Sequence, residues 1–146
     1  MITQIKTIPH SEHRYETVGD YWADENGVLQ VRISDMGNED YAFLVAIHEL
    51  IEEYLTRRRG LPEPEIKAFD EKFEVERALG KHWEEAEPGY DSRAPYQKEH
   101  TIASGIETML AGHMGIDIND YARAITELGN PPQRYTGPGV EQPDIP

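Results

Sequence analysis

The stretch Asn38-Glu39-Asp40-Tyr41-Ala42-Phe43-Leu44-Val45-Ala46-Ile47-His48-Glu49-Leu50-Ile51-Glu52 decides how this chain is read. It opens a long helical run over residues 41–58. Asn38 is an N-cap, and Glu39 and Asp40 put carboxylates in the first turn, where they favour the helix dipole. Gly60 supplies the C-terminal stop. At about 100° per residue, Tyr41, Leu44, Val45, Ile51 and Leu55 fall within about 60° of His48, and Glu52 lies about 40° away. A histidine and a glutamate four residues apart therefore share the face that should point at the core. Burying an unpaired carboxylate costs on the order of several kcal/mol. An ion, a salt bridge, a hydrogen-bond network or a water-filled cleft must compensate. Glu53, on the far side, is expected in solvent.

Upstream, residues 2–8 alternate and read as a strand ending at Pro9. Residues 17–22 form a second, shorter strand. Asp24-Glu25-Asn26-Gly27 is a turn, since Asn-Gly supplies the positive φ of a tight hairpin. Residues 28–33 read as another strand. Downstream, Pro62 and Pro64 open a second helix with Ile66, Phe69 and Phe73 on its apolar stripe and Val75 and Leu79 further along, and Gly80 ends it. Residues 84–93 are acidic, contain Pro88-Gly89 and read as a loop. Asp91 or Ser92 caps a third helix over about 94–111, with Pro95 in its first turn. Residues 118–128 form a fourth helix. Strands followed by helices predict an α+β fold, a small N-terminal antiparallel β-sheet packed on three or four α-helices. One domain is expected over residues 1–128, and residues 129–146 form a Pro/Gly-rich flexible tail. The chain shows no internal repeat.

The 146 residues carry 28 acids against 14 Lys and Arg, a net charge of −14. Such a surface repels phosphate backbones, so no nucleic-acid partner is expected. It serves solubility and suits cations or basic partners. The basic run Arg57-Arg58-Arg59 falls at a helix end, where the dipole accounts for it. There is no cysteine. This excludes thiolate metal sites, thiol catalysis and disulfides, and fits a reducing compartment. No segment approaches the ~20 consecutive apolar residues of a membrane span. Residues 1–9 lack the layout of a signal peptide, and a cytoplasmic setting is expected.

Other polar residues also fall on apolar faces. Asp70 lies among Ile66, Phe69 and Phe73. His100 and Glu107 share the broad buried face of the third helix with Tyr96, Ala103, Ile106 and Leu110, and Glu99 borders it. Glu107 is roughly 10 Å along the axis from His100. It is too far to bind the same ion, and instead supports a ligand from behind or pairs with Arg or Lys. His48, Glu52, Asp70 and His100 are the candidate ligands of a divalent metal, zinc or manganese/iron. Glu49, inside the HExxE motif, is the candidate general base. For each histidine the bland alternative is a core residue satisfied by one hydrogen bond. Asp70 has the rival role of pairing with an arginine or capping a neighbouring element. His10 and His13 default to the surface, and His82 and His113 have no evident context.

The run Ile8-Pro9-His10-Ser11-Glu12, then Tyr15, Val18-Gly19-Asp20 and His48-Glu49-Leu50-Ile51-Glu52, resembles a family of small phage and prophage-encoded proteins. So do the Asp70 region and Arg93-Ala94-Pro95-Tyr96 followed by Glu99-His100, an APYxxEH motif. The resemblance covers most of residues 2–110. It implies a bacterial or phage origin and an intracellular setting, and supplies no activity. A looser resemblance is to zincin-type metallopeptidases, which place a strand before a helix carrying HExxH. It implies that His48 is a ligand and Glu49 the general base. Glu52 stands where that pattern has its second His, so the resemblance reaches neither the full zinc ligand set nor peptidase activity, and carboxylate-rich sites also accept manganese or iron.

The leading expectation is a metal-dependent hydrolase acting on a peptide, small amide or ester. The alternative is a non-enzymatic module whose polar interior is a structural network and whose partner is a host or phage protein. All-α nucleoside-triphosphate pyrophosphohydrolases carry ExxE and ExxD on helices. Glu49 and Glu52 match only the first half, and the N-terminal strands do not fit that fold.

Overall fold

The computed structural model describes residues 2–83 and 86–128. The tail expected over residues 129–146 lies outside them. Strands β1 (Thr3–Ile8), β2 (Gly19–Ala23) and β3 (Leu29–Ser34) come first. Helices α1 (Glu39–Arg58), α2 (Glu63–Ala78), α3 (Gln97–His113) and α4 (Ile118–Leu128) follow, with short 3-10 turns at His10–Glu12 and Pro88–Tyr90. This is the expected α+β class. Among the described residues no helix is long and apolar enough to cross a membrane.

The sheet order is β1-β3-β2. β2 and β3 form the expected antiparallel hairpin, with Tyr21 opposite Val31. Its turn closes as Asn-Gly chemistry demands: Gly27 takes φ 75°, and the Asp24 carboxylate accepts from the Asn26 and Val28 amides at 2.9 and 3.0 Å. The sheet is mixed rather than wholly antiparallel, because β1 runs parallel to β3, from Thr3 opposite Leu29 to Ile8 opposite Ser34. A meander would lay β1 beside β2. Here the chain leaves one strand's width between them, and β3 turns back into the gap. Central β3 is therefore almost wholly buried, while β1 is an exposed edge.

Helix α1 starts where the sequence says it should, with the Asn38 side chain accepting from the Tyr41 amide at 3.0 Å. Gly60 takes φ 80° just past its end. The helix packs against β2 and β3 on one side and α3 on the other. Leu44 and Val45 join Tyr21, Leu29, Val31 and Ile33 of the sheet, Ile66 of α2, Tyr96 and Ala111 in the core. Being covered on two sides, α1 buries a wider arc than a single apolar stripe. Glu53 is consequently buried rather than solvated, paired with Arg57 at 2.6 Å. Arg59 ties α1 to α3, with its guanidinium on Glu99 at 2.5 Å and on the Pro95 carbonyl at 2.6 Å.

α3 begins later than the sequence suggests. Neither Asp91 nor Ser92 caps it: Tyr96 takes the N-cap position without a side-chain bond. Asp91 is instead held by Arg93, through the backbone amide at 2.8 Å and the guanidinium at 2.9–3.0 Å. On α2, Ile66 and Phe73 are buried, whereas Val75 and Leu79 face solvent.

Candidate metal centre

The packing of α1 on α3 sets three side chains tip to tip. His48 Nε2 is 3.1 Å from Glu52 Oε2 and 3.2 Å from His100 Nδ1. His100 Nδ1 is 3.0 Å from the same Glu52 oxygen. The donors form a nearly equilateral triangle. They are the trio of His, Asp or Glu donors close enough to hold one ion among the described residues. With metal–ligand bonds of about 2.0–2.1 Å, neighbouring ligands lie about 3.3 Å apart in a tetrahedral shell and about 3.0 Å apart in an octahedral one. The triangle has the size of a coordination face.

The outer atoms of each donor are also engaged. His48 Nδ1 meets Glu107 Oε1 at 2.8 Å, and His100 Nε2 meets Glu87 Oε2 at 3.1 Å. A neutral imidazole has one N–H. In the neutral rings, with that N–H directed to the outer carboxylate, both inner nitrogens would present lone pairs toward Glu52. Carboxylate-backed imidazoles are the usual support of histidine ligands, fixing the ring and raising its basicity. Tyr21 donates to Glu52 Oε1 at 3.0 Å, and Tyr121 donates to Glu107.

Three converging acceptors require a positive charge between them. Protons supply it in the ion-free protein. Burial disfavours both imidazolium ions, but Glu107 and Glu52 outweigh it and raise His48 to about 11. Glu52 and Glu87 raise His100 to about 9 in the same way. Burial works against the Glu52 carboxylate too, yet the two imidazoles hold it down at about 2.

Glu49 sits beside this triangle. It is 8 % exposed, and its carboxylate has no hydrogen-bond partner among the described residues. Burial first, and the nearby Glu52 second, push it well above the ordinary carboxylate range. Gly19 of β2 makes room for it: a Cβ there would lie 2.5 Å from Glu49 Oε1. Gly89 does the same for His100, since a Cβ on it would overlap the imidazole ring. Tyr90 then stands edge-on to that ring at 4.7 Å. His48, Glu49, Glu52 and His100 all line one cleft of about 1240 Å³.

Asp70 lines the same cleft from α2 but stands outside the trio. Its carboxylate accepts from Tyr15 at 3.0 Å and from Tyr96. Burial raises it to about 7 against the two tyrosine bonds, which favour the charge. Glu107 is where its two-turn offset from His100 implied, behind a ligand, and the ligand it backs is His48.

Glu87, Tyr21 and Tyr121 were not singled out from the sequence. The alternation of β2 points Tyr21 inward, which was a usable signal. Tyr121 lay on the fourth helix without a polar neighbour in sequence, and Glu87 in an acidic loop with no period to read. His10 and His13 are not bland surface residues: both hold the buried Ser34 hydroxyl, at 2.7 and 2.9 Å. His82 stacks on Phe73 with ring centroids 3.9 Å apart and meets Glu76 at 3.2 Å. No family model, no curated protein and no solved structure matches this chain.

Proposed function

We propose that this chain binds a divalent metal through His48, Glu52 and His100 and acts as a metal-dependent hydrolase of the cytoplasm. The observation that carries the reading is the triangle of inward-facing ligand atoms, with edges of 3.0–3.2 Å, each donor backed from behind by its own partner. Two imidazoles and one carboxylate are the donor set of catalytic zinc and of non-haem iron(II), and manganese also accepts it. Such an ion supplies Lewis acidity and acidifies water toward neutrality.

Glu49 is the chain's own contribution to the chemistry. Its oxygens are free of hydrogen bonds among the described residues, and it lines the cleft beside the three ligand atoms. It accepts the proton of the attacking water. It returns that proton to the leaving nitrogen or oxygen as the C–N bond of an amide, or the C–O bond of an ester, breaks. The deciding experiment is elemental analysis of protein purified without a histidine tag, followed by calorimetric titration with zinc, manganese and iron(II). One ion per chain supports the reading. Should no divalent ion bind, the polar interior is a structural network and the chain a protein-interaction module.

A further inference from the structure

The hydrolase reading leaves Asp70 without a task. Tyr15 and Tyr96 each donate one hydrogen bond to it, and a carboxylate has about four lone-pair sites. Among the described residues no Lys or Arg pairs with Asp70. The same holds for Glu49, Glu52, Glu87 and Glu107. Even with a divalent ion in place, Glu52, Glu87 and Glu107 outnumber its two charges, so the local charge stays negative without Asp70 or Glu49, and the walls of a cleft strengthen that field. An anionic substrate would be repelled. A second observation points the same way: Glu49, more than nine-tenths buried, faces this cleft with unpartnered oxygens.

We propose that the cleft takes a substrate bearing a positively charged amine, with Asp70 as its anchor. The scissile carbonyl is then carried to His48, Glu52 and His100, and this second half rests on the metal reading above. Tyr96 joins the two ends. Its hydroxyl holds Asp70, and its ring stands edge-on to His100 at a centroid distance of 6.1 Å. Asp70 shares the cleft with Glu52 and His100 and is near enough to feel the charge of both, which suits an amine and a carbonyl on one small substrate, as in an α-amino amide or the free N-terminus of a peptide. Tyr15 and Tyr96 fix the Asp70 carboxylate in place, so its orientation is set before the amine arrives.

The test titrates L-leucinamide and N-acetyl-L-leucinamide, which differ in the amine charge, into the chain with and without zinc. Leucinamide should bind at least about tenfold more tightly, the scale of a hydrogen bond to a charged group. Asp70→Asn, which keeps an acceptor for one tyrosine and offers an amide N–H to the hydroxyl oxygen of the other, should abolish that preference and leave the acetylated compound unaffected. Equal affinities for the two compounds, no binding of leucinamide at millimolar concentration, or a preference that survives in a folded D70N protein each overturn the proposal. Zinc uptake is measured on the same samples. Failure of the metal site thus shows as missing zinc, and failure of the amine anchor as missing preference in the zinc-free titration.

Discussion

His48 Nδ1 and the Glu107 carboxylate lie 2.8 Å apart, linking α1 to α3 across 59 residues of chain. The bond turns the imidazole so that its other nitrogen faces Glu52 and His100. Tyr121 fixes Glu107 in turn, so α4 takes part in aiming a side chain of α1.

Glu107→Gln should therefore weaken zinc binding about 10–100-fold, the usual effect of removing a ligand's supporting carboxylate. Secondary structure should be unchanged. Competitive titration against a chelator reads the affinity and circular dichroism reads the fold. An unaltered affinity would show that the Glu107 bond is structural only.

His48→Ala and Glu49→Gln should separate binding from chemistry. The first removes a ligand and with it both the metal content and the thermal stabilisation by zinc, since an ion bound only to the folded state stabilises it. The second leaves metal content nearly unchanged and abolishes hydrolysis, because a base is not a ligand. A Glu49→Gln protein that still turns over its substrate would falsify the role given to Glu49.

The pH dependence has a definite sign. In the ion-free protein, His48 and His100 are raised to about 11 and about 9. Their contribution to stability is complete below about 6.5, the unfolded value, and is lost as pH climbs through 9 and then 11. An ion bound by these residues would displace those protons, so metal binding should release protons and strengthen with rising pH. The difference in Tm between zinc-loaded and ion-free protein should widen from about pH 6.5 to about pH 8.5. Differential scanning calorimetry at matched ionic strength measures it, and a gap that narrows over this range contradicts the assignment.

Gly19→Ala places a methyl against the Glu49 carboxyl group, with 2.5 Å to its nearest oxygen. Relief requires moving either β2 or the carboxylate, at roughly 1–3 kcal/mol for an overpacked position. Chemical denaturation reads the loss. If Glu49 moves to relieve the clash, hydrolysis falls while zinc affinity holds.

How far the sequence could be read depended on how local each signal was. The Asn38 cap, the Asn26-Gly27 turn and the four-residue offset of His48 and Glu52 are written in neighbouring residues. They translate directly into geometry. The approach of His100 could be read because it, too, was polar on an apolar face. The two-sided covering of α1 could not, and so Glu53 was misplaced: a helix sandwiched between a sheet and another helix hides acids that an amphipathic wheel assigns to solvent. The parallel placement of β1 was equally hidden, since alternation reveals a strand but not its neighbour. Glu87 backs His100 from an acidic turn where no periodicity exists, two residues before the Gly89 backbone that packs against the imidazole ring.

The β1-β3-β2 order also dictates a sequence of events in time. β2 and β3 are joined by a tight turn and can pair as soon as that turn closes, whereas β1 must wait until β3 lies in position to receive it. The earliest strand along the chain is thus expected to dock last, since its pairing spans 26 residues at Thr3 and Leu29. Contacts so distant along the chain are slow to form. In a pulse-labelled refolding experiment, backbone amides of residues 29–34 that pair with β2 should become protected before those of 3–8.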